Sequence, residues 1–330
     1  MKYLTIAIPT YNGELTISDS LLSILKSLDL CVHDEVEVII CDNASTDNTF
    51  NIVNEIIINN KKYDIKYYAN STNKGADCNF DLAVKRAKGK YVWLFSDSER
   101  IVNEKSIIDI VKLLKKRYYD FLMLNYENPL DLRNIPNLYD NGNDFFLNTK
   151  FKSNLITSCI VNREEWMSYK LERYYGSCWI QIAYQVHALS PKRKCCVMFI
   201  KDIFFRQMEV DHKWGQNGSF LFIGINLIKI CSEMVDLGYD RLTTIECCKE
   251  IKNSYPRNIC LARINGLKIN KIEYDEIRCL YERVGSPLNL IDKFFFKCPT
   301  IFCHFCYRLY KVFKFIRNFL YNTHIVWLLW

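Results

Sequence analysis

The sequence predicts an α/β fold for residues 1–125, with a largely parallel sheet flanked by helices. Two observations carry this: short apolar runs alternate with helically periodic stretches, and three of the runs end in clusters of small polar residues. Strands that alternate with helices build βαβ units with right-handed crossovers. Ligands of such sheets bind beyond the carboxyl ends of the strands.

Residues 3–9 are a short apolar run closed by Pro9, which suits a buried strand and its exit. Asn12-Gly13 marks a turn, and Ile17, Leu21, Leu22, Leu25 and Leu28 then recur at helical spacing across residues 14–28. Residues 36–41 read as a second buried strand. Asp47 precedes a helical stretch whose apolar side is Phe50, Ile52, Val53, Ile56 and Ile57, and its short carboxylate is expected to cap that helix. A strand over 65–68, a helix over 76–87, a strand over 91–95, a helix over 107–117 and a strand over 121–124 follow. Residues 126–160 are polar and rich in turn signals, and are expected to be a loop-like passage between two halves of the protein. The polar clusters are Pro9-Thr10-Tyr11-Asn12, residues 42–47, and Ser96-Asp97-Ser98-Glu99. Three such clusters from one sheet would converge on a single crevice.

Composition narrows the class. With 49% hydrophobic and 25% charged residues, the 330-residue chain is neither disordered nor fibrous, and its length suits about two domains. The net charge is +7, of which residues 290–330 supply +5, so the body is near neutral and the tail is basic. Fifteen cysteines are an odd number in a long chain, and no signal-peptide pattern opens it, so reduced thiols and a cytoplasmic location are expected. Cys298, Cys303, His304 and Cys306 lie close together, but only Cys303 and Cys306 have the spacing of a zinc knuckle. They stand among phenylalanines, so apolar packing is expected and no zinc.

Four ordered pieces carry a resemblance: residues 8–12 (IPTYN), residues 39–47 (IICDNASTD), Asn73-Lys74-Gly75, and residues 89–99 (GKYVWLFSDSE). In this order and spacing the chain resembles the inverting nucleotide-sugar glycosyltransferases of glycosyltransferase family 2. The resemblance covers residues 1–125 and thins afterwards. It implies a GT-A fold, a Rossmann-like mixed sheet flanked by helices, here with a mainly helical C-terminal extension. The expected organisation is a nucleotide-sugar-binding half over 1–125, an acceptor-binding half over 126–225 and a helical extension over 226–330. Residues 153–163, Glu164-Glu165-Trp166 and 174–181 are similar to an abequosyltransferase-like sub-branch that makes bacterial surface polysaccharides.

The resemblance assigns roles residue by residue. Asp42 stands where the family binds the nucleotide base, with Pro9, Thr10 and Tyr11 lining the pocket; the alternative for Tyr11 is loop packing. Asn73 suits a turn, and Lys74 either meets a phosphate or is solvated. Ser96 and Asp97 are expected to bind the nucleotide sugar, and Asp97-Ser98-Glu99 stands at the family's Asp-x-Asp metal motif. Asp97 and Glu99 are expected to hold Mg²⁺ or Mn²⁺ against the donor diphosphate, since paired carboxylates suit hard cations. Glu99 departs from the family's final aspartate, and its longer arm changes the reach. Asp77 is read as a charge at a helix start.

An inverting transferase needs a carboxylate to accept the proton of the attacking hydroxyl. Many family members carry a Glu-Asp pair at a helix start for this, and Gln181 stands near that place instead. Glu164, Glu165, Asp202 and Asp211 are the candidates, with Asp211 and Glu165 entered as bases. Asp211 lies in a polar loop with His212, Lys213 and Trp214 that could close over the diphosphate.

The tail interleaves aromatics with Lys297, Arg308, Lys311, Lys314 and Arg317, the pattern of a helix lying in a lipid interface. Peripheral attachment at the inner face of the cell membrane through residues 290–330 is expected, with a core-packed helix as the alternative. The near-neutral body argues against nucleic acid. The expected activity is transfer from a nucleotide-diphosphate sugar to a glycan, such as a lipid-linked oligosaccharide of an O-antigen or capsule. The alternative is a non-catalytic protein of the same fold that binds glycan or a partner enzyme. A Rossmann dehydrogenase would need G-x-G-x-x-G after the first strand, which is absent.

Overall fold

A computed structural model describes residues 2–31, 33–126, 135–208, 219–253, 255–266 and 269–310. The chain divides into two compact units, Met1–Asp211 with Glu233–Thr243 and His212–Ser232 with Thr244–Trp330.

The first unit is built on one nine-stranded sheet. Its strands are β1 (Leu4–Thr10), β2 (Val36–Asp42), β3 (Ile65–Ala69), β4 (Tyr91–Leu94), β5 (Glu99–Ile101), β6 (Phe121–Tyr126), β7 (Leu138–Tyr139), β8 (Cys159–Asn162) and β9 (Val197–Gln207). They lie in the order β3-β2-β1-β4-β8-β6-β9-β5, with β7 pairing onto β9. The β3-β2-β1-β4 part is parallel, whereas β8 runs antiparallel between β4 and β6. The sheet is therefore mixed, with β3-β2-β1-β4 and the β6–β9 pair parallel. The parallel half matches the strands read from the sequence, and β1, β2 and β4 are buried on both faces, so each reads as a continuous apolar run.

Side chains of β1 alternate between the faces. Leu4, Ile6 and Ile8 join a core with Ile17, Leu21 and Ile24 of α1 (Ile17–Leu28), Val53 and Ile56 of α2 (Thr49–Asn59), and Ile107 and Ile110 of α4 (Ser106–Lys116). The remaining helices of this unit are α3 (Ala76–Arg86), α5 (Gly142–Thr149), α6 (Arg163–Ser168) and α7 (Ile180–Ala188).

Residues 142–149 correct the expected loop. Asn141 caps α5 by accepting from the Asn143 N–H at 2.7 Å, and Phe145 and Phe146 are fully buried. Gly142 lies so close to the Leu189 carbonyl that an added Cβ would stand 1.9 Å from it. The Asn-Gly pair that reads as a turn is in fact a helix start pressed against the chain after α7.

Farther along the chain come α8 (Ser219–Asp236), α9 (Arg241–Asn253), α10 (Tyr255–Ile264), α11 (Lys271–Arg283) and α12 (Leu290–Lys297), with residues 300–310 also helical. Capping boxes Asn270/Glu273 and Asn289/Asp292 start α11 and α12. Cys260, Cys298 and Cys303 pack together with Ile264, Phe295 and Cys306. Among the described residues no group of three or more His, Cys, Asp or Glu is arranged to hold a metal, and no helix is long and apolar enough to cross a membrane.

Candidate functional site

The sheet order reverses at β1, whose neighbours are β2 on one side and β4 on the other. A crevice at such a switch point is where α/β sheets take ligands, and two of the polar clusters meet across it. The Thr10 hydroxyl, at the end of β1, donates to Asp97 Oδ2 at 2.5 Å just past β4. Gly13 packs against this bond: a Cβ there would stand 2.5 Å from Thr10 Oγ1 and 2.8 Å from Asp97 Oδ2. Pro9 and Thr10 are buried, while Tyr11 is 49% exposed at the rim.

The turn after β1 is laced to the turn after β2. Asn12 donates its N–H to Ser45 Oγ at 2.8 Å and accepts from the Thr46 N–H at 2.9 Å. The Gly13 N–H donates to Thr49 Oγ1 at 2.9 Å, and the Glu14 N–H to Asp47 Oδ2 at 3.0 Å. Asp47 also accepts from the Thr49 N–H at 3.1 Å; it stands one residue before Asn48, the N-cap of α2, and ties the helix start to the neighbouring turn. Asn12 (φ 53°) and Ala44 (φ 63°) both adopt left-handed backbone. Asparagine tolerates this, whereas alanine does so at a cost of order 1–2 kcal/mol. Strain of this kind collects at functional turns.

Asp42 ends β2 with its carboxylate held from two sides. Tyr67 OH donates to Oδ2 at 2.6 Å, and Ser45 donates both its hydroxyl and its N–H, the latter at 3.1 Å to Oδ1. Asn43, beside it, accepts from the Lys74 N–H at 2.9 Å and donates to Asn73 Oδ1 at 2.9 Å. Asn73 and Lys74 are thus drawn to the β2 end, with the Lys74 side chain exposed.

Ser96 donates its N–H to Thr157 Oγ1 at 2.8 Å, and its hydroxyl is 3.0 Å from that of Ser98. Glu99 begins β5, paired with Gln207 of β9, and is only 4% exposed. Its Oε2 is buried without a hydrogen-bond partner among the described residues. Burial pushes the Glu99 carboxyl up to about 7; the Thr157 hydroxyl lowers it, and the Asp97 charge adds to the rise. A divalent cation fits this donor set, since an orphaned carboxylate oxygen close to a second carboxylate is relieved by positive charge.

Asp77 is more than a helix-start charge. It is 2% exposed, and its carboxylate accepts from the Cys178 N–H at 2.8 Å and the Ile180 N–H at 3.1 Å, which pins the start of α7 beside the start of α3. Burial lifts this carboxyl above its ordinary range, while those N–H groups and those of Gly176 and Ser177 lower it. One turn on, Gln181 donates to the Asn154 carbonyl at 2.8 Å, and its buried Oε1 has no partner among the described residues.

The candidate bases separate. Glu165 accepts from Tyr169 OH at 2.8 Å and pairs with Arg193, which also pairs with Asp120 just before β6. Asn162 at the end of β8 stands opposite Tyr91 at the start of β4, so α6, which begins at the next residue, leaves from the opposite end of the sheet to Asp97. The structure therefore does not bring Glu165 to Asp42 and Asp97. Glu164 and Asp202 are exposed. Asp211 lies outside the described residues. Tyr67, Thr157, Asn43 and Asp77 were missed as site residues, and only Asn43, adjoining Asp42, carried a local signal.

A family model described as glycosyl transferase family 2 matches residues 5–171, just over half of the chain. The chain belongs to this family. It is similar to the abequosyltransferase RfbV of Salmonella typhimurium, with 34% identity over 101 residues, 31% of this chain and 29% of that protein. It is also similar to WfgD of Escherichia coli, a UDP-Glc:α-D-GlcNAc-diphosphoundecaprenol β-1,3-glucosyltransferase, with 32% identity over 123 residues, 37% of this chain and 45% of that protein. The chain spans less than half the length of the curated relatives it matches. Among solved structures, residues 1–349 of Staphylococcus aureus TarS in complex with UDP-GlcNAc superpose with a TM-score of 0.59 at 19% identity, covering 89% of this chain and 83% of that one. The mannosyltransferase PcManGT of Pyrobaculum calidifontis, in complex with GDP-Man and Mn²⁺, gives 0.55 at 14% identity, covering 86% and 85%. The family member described here has the GT-A fold, with a helical C-terminal region.

Proposed function

We propose that the chain transfers a sugar from a nucleotide-diphosphate donor to a glycan acceptor, by an inverting displacement assisted by Mg²⁺ or Mn²⁺. The observation that carries this reading is the convergence of Asp42, the Thr10–Asp97 pair and the orphaned Glu99 oxygen at one end of the sheet. Asp42, oriented by Tyr67 and Ser45, would accept a hydrogen bond from the base or ribose, with Pro9, Thr10 and Tyr11 along the base and Asn73, Lys74 and Ser96 beside the rest of the nucleotide. Asp97 and Glu99 would hold the cation, which when bound offsets charge on the departing diphosphate. The acceptor hydroxyl attacks the anomeric carbon, the bond to the diphosphate oxygen breaks, and a carboxylate takes the hydroxyl proton. With Glu165 committed to Arg193, Asp211 is the base to test.

The acceptor is proposed to be a lipid-linked oligosaccharide of surface polysaccharide synthesis; WfgD is named for transfer to a lipid-linked sugar, α-D-GlcNAc-diphosphoundecaprenol. Membrane-surface attachment is part of this reading. Ile301 (80% exposed), Phe305 (57%) and Leu309 recur at helical spacing on residues 300–310, followed in the chain by Lys311, Lys314 and Arg317, which lie outside the described residues. Such a stripe suits an anionic interface.

Thermal stabilisation by UDP, GDP, CDP and dTDP, with and without Mn²⁺, tests the donor site, because a ligand of the folded state raises its stability by mass action. A Mn²⁺-dependent shift for one nucleotide, lost in Asp97→Ala, is expected; no shift in folded protein with any nucleotide sinks the proposal. Turnover of the matching nucleotide sugar, lost in Asp211→Asn with the nucleotide shift retained, assigns the base. A non-catalytic glycan- or partner-binding role is the second reading. It is favoured by Gln181 standing where the family carries carboxylates, and nucleotide binding without any turnover would select it.

A further inference from the structure

Beside the donor site, β5 and β9 bring two arginines face to face. Arg100 and Arg206 are direct partners in the antiparallel pairing of these strands. Like charges directly opposite one another destabilise a strand pair. Both line a cavity of about 530 Å³ with Asp19, Leu22 and Ser23 of α1 and with Val102. None of these residues belongs to the set that meets Asp42, Asp97 or Glu99. Asp19 is exposed, Arg206 has partners of its own, and Arg100 makes no side-chain hydrogen bond or ion pair among the described residues. The half-buried Arg100 guanidinium therefore faces open space with its donors unspent.

We infer that Arg100 and Arg206 form a second anion site, which takes a phosphate or diphosphate ester carried by the acceptor. Guanidinium groups present planar forks of donors that match phosphate oxygens, and two together suit a doubly charged group. Placement names the carrier. Arg100 follows Asp97 by three residues, so their Cα atoms are at most about 11 Å apart. A phosphate held there lies within reach of an acceptor whose hydroxyl is at the donor sugar, and none of the residues lining its cavity is among those proposed to hold the donor diphosphate. The identity of the carrier rests on the transferase reading; the anion site does not.

The test is calorimetric titration of the full chain with inorganic pyrophosphate in metal-free buffer, for wild type, Arg100→Gln, Arg206→Gln and Asp97→Asn. Binding is expected in wild type and in Asp97→Asn, and about tenfold or more weaker in either arginine variant. Equal binding in all four proteins, or loss in Asp97→Asn alone, overturns the inference, the second outcome placing pyrophosphate in the donor site. Should Arg100→Gln not fold, Arg100→Lys keeps the charge but not the fork and is expected to bind several-fold more weakly than wild type. Glucose 1-phosphate is expected to compete with pyrophosphate. Sedimentation with vesicles about one-third phosphatidylglycerol distinguishes the sources. Vesicle binding unchanged in the arginine variants supports an acceptor phosphate, and vesicle binding lost with pyrophosphate binding reassigns the pair to lipid headgroups and overturns it. The UDP shift measured on the same proteins reports the transferase reading separately: if UDP fails to bind while pyrophosphate binds through the arginines, the donor site falls and the anion site stands.

Discussion

Replacing Glu99 by glutamine isolates the energetic consequence of a buried acid in the candidate metal site. In the unfolded chain this carboxyl ionises near 4.5, and in the folded protein, where burial disfavours its charged form, at about 7. Below pH 4.5 both states carry the proton and the site costs nothing on this account. As the pH rises from 4.5 to 7 the unfolded chain ionises while the folded protein still holds the proton, so stability is lost, and above 7 the loss is complete. A displacement of that size corresponds to roughly 3 kcal/mol. Glutamine keeps the shape and never ionises, so Glu99→Gln is expected to be more stable than wild type by up to about 3 kcal/mol at pH 8, and equal to it near pH 4.5. For a chain of this length melting as one body that is about 4 °C, and about 6 °C if the sheet-bearing unit melts alone. Thermal and urea melts of both proteins from pH 4.5 to 8.5, without metal, measure it. A difference that does not change with pH, or a glutamine variant less stable at pH 8, would refute the reasoning. With Mn²⁺ the order is expected to invert: the ion stabilises wild type increasingly as the pH passes 7, because it must displace the proton, and leaves the variant unmoved.

Three other substitutions probe the frame. Gly13→Ala places a methyl against the Thr10–Asp97 bond; it is expected to weaken the nucleotide-dependent thermal shift as Asp97→Ala does, and an unchanged shift would remove Gly13 from the site. Arg193→Met strands the buried Asp120 carboxylate and that of Glu165, so a loss of about 3–5 kcal/mol near neutral pH is expected in urea unfolding, most of it recovered when Asp120→Asn is added. Asp77→Ala leaves the first N–H groups of α7 without their acceptor. A loss of about 1–3 kcal/mol is expected, with hydrogen exchange accelerated at residues 176–180 before the rest of the sheet.

What was legible in the sequence had a local cause. β1, β2 and β4 are buried on both faces, so their apolar runs are continuous, and Asp42 and Asp97 follow those runs directly. What was not legible depends on partners far along the chain. Asp42 is oriented by Tyr67, 25 residues away, and Ser96 is held by Thr157, 61 residues away. Glu99 reads as a metal ligand in a polar cluster past β4, and nothing near it signals β9, whose Phe205, Arg206 and Gln207 turn residues 99–101 into a strand. Residues 142–149 read as a loop because Asn-Gly is turn chemistry, and only the close approach of Leu189 shows why a glycine starts a helix there.

The start of α7 carries this lesson furthest. Read locally, Trp179-Ile180-Gln181 lacks the acidic pair that many family members place at a helix start, and the carboxylate reads as missing. In three dimensions a carboxylate is present: Asp77 comes from α3, 101 residues before Cys178, and binds the free N–H groups of that helix end. Because those groups already hold an anion of the protein, the helix end has little left to offer a second one. Asp77, with its backbone bonds spent, is built to hold the loop through Gly176 and Cys178 in its left-handed turns rather than to collect a proton from an acceptor. Gln181, in the first turn of α7, is 3% exposed, and its buried Oε1 can accept a hydrogen bond but cannot hold a proton. In the proposed reaction this end of α7 therefore supplies no base, and the proton must be taken by a group from another element. For that reason Asp211→Asn, assayed by turnover with the nucleotide shift as its folding and binding control, is the substitution that separates a transferase from a binder.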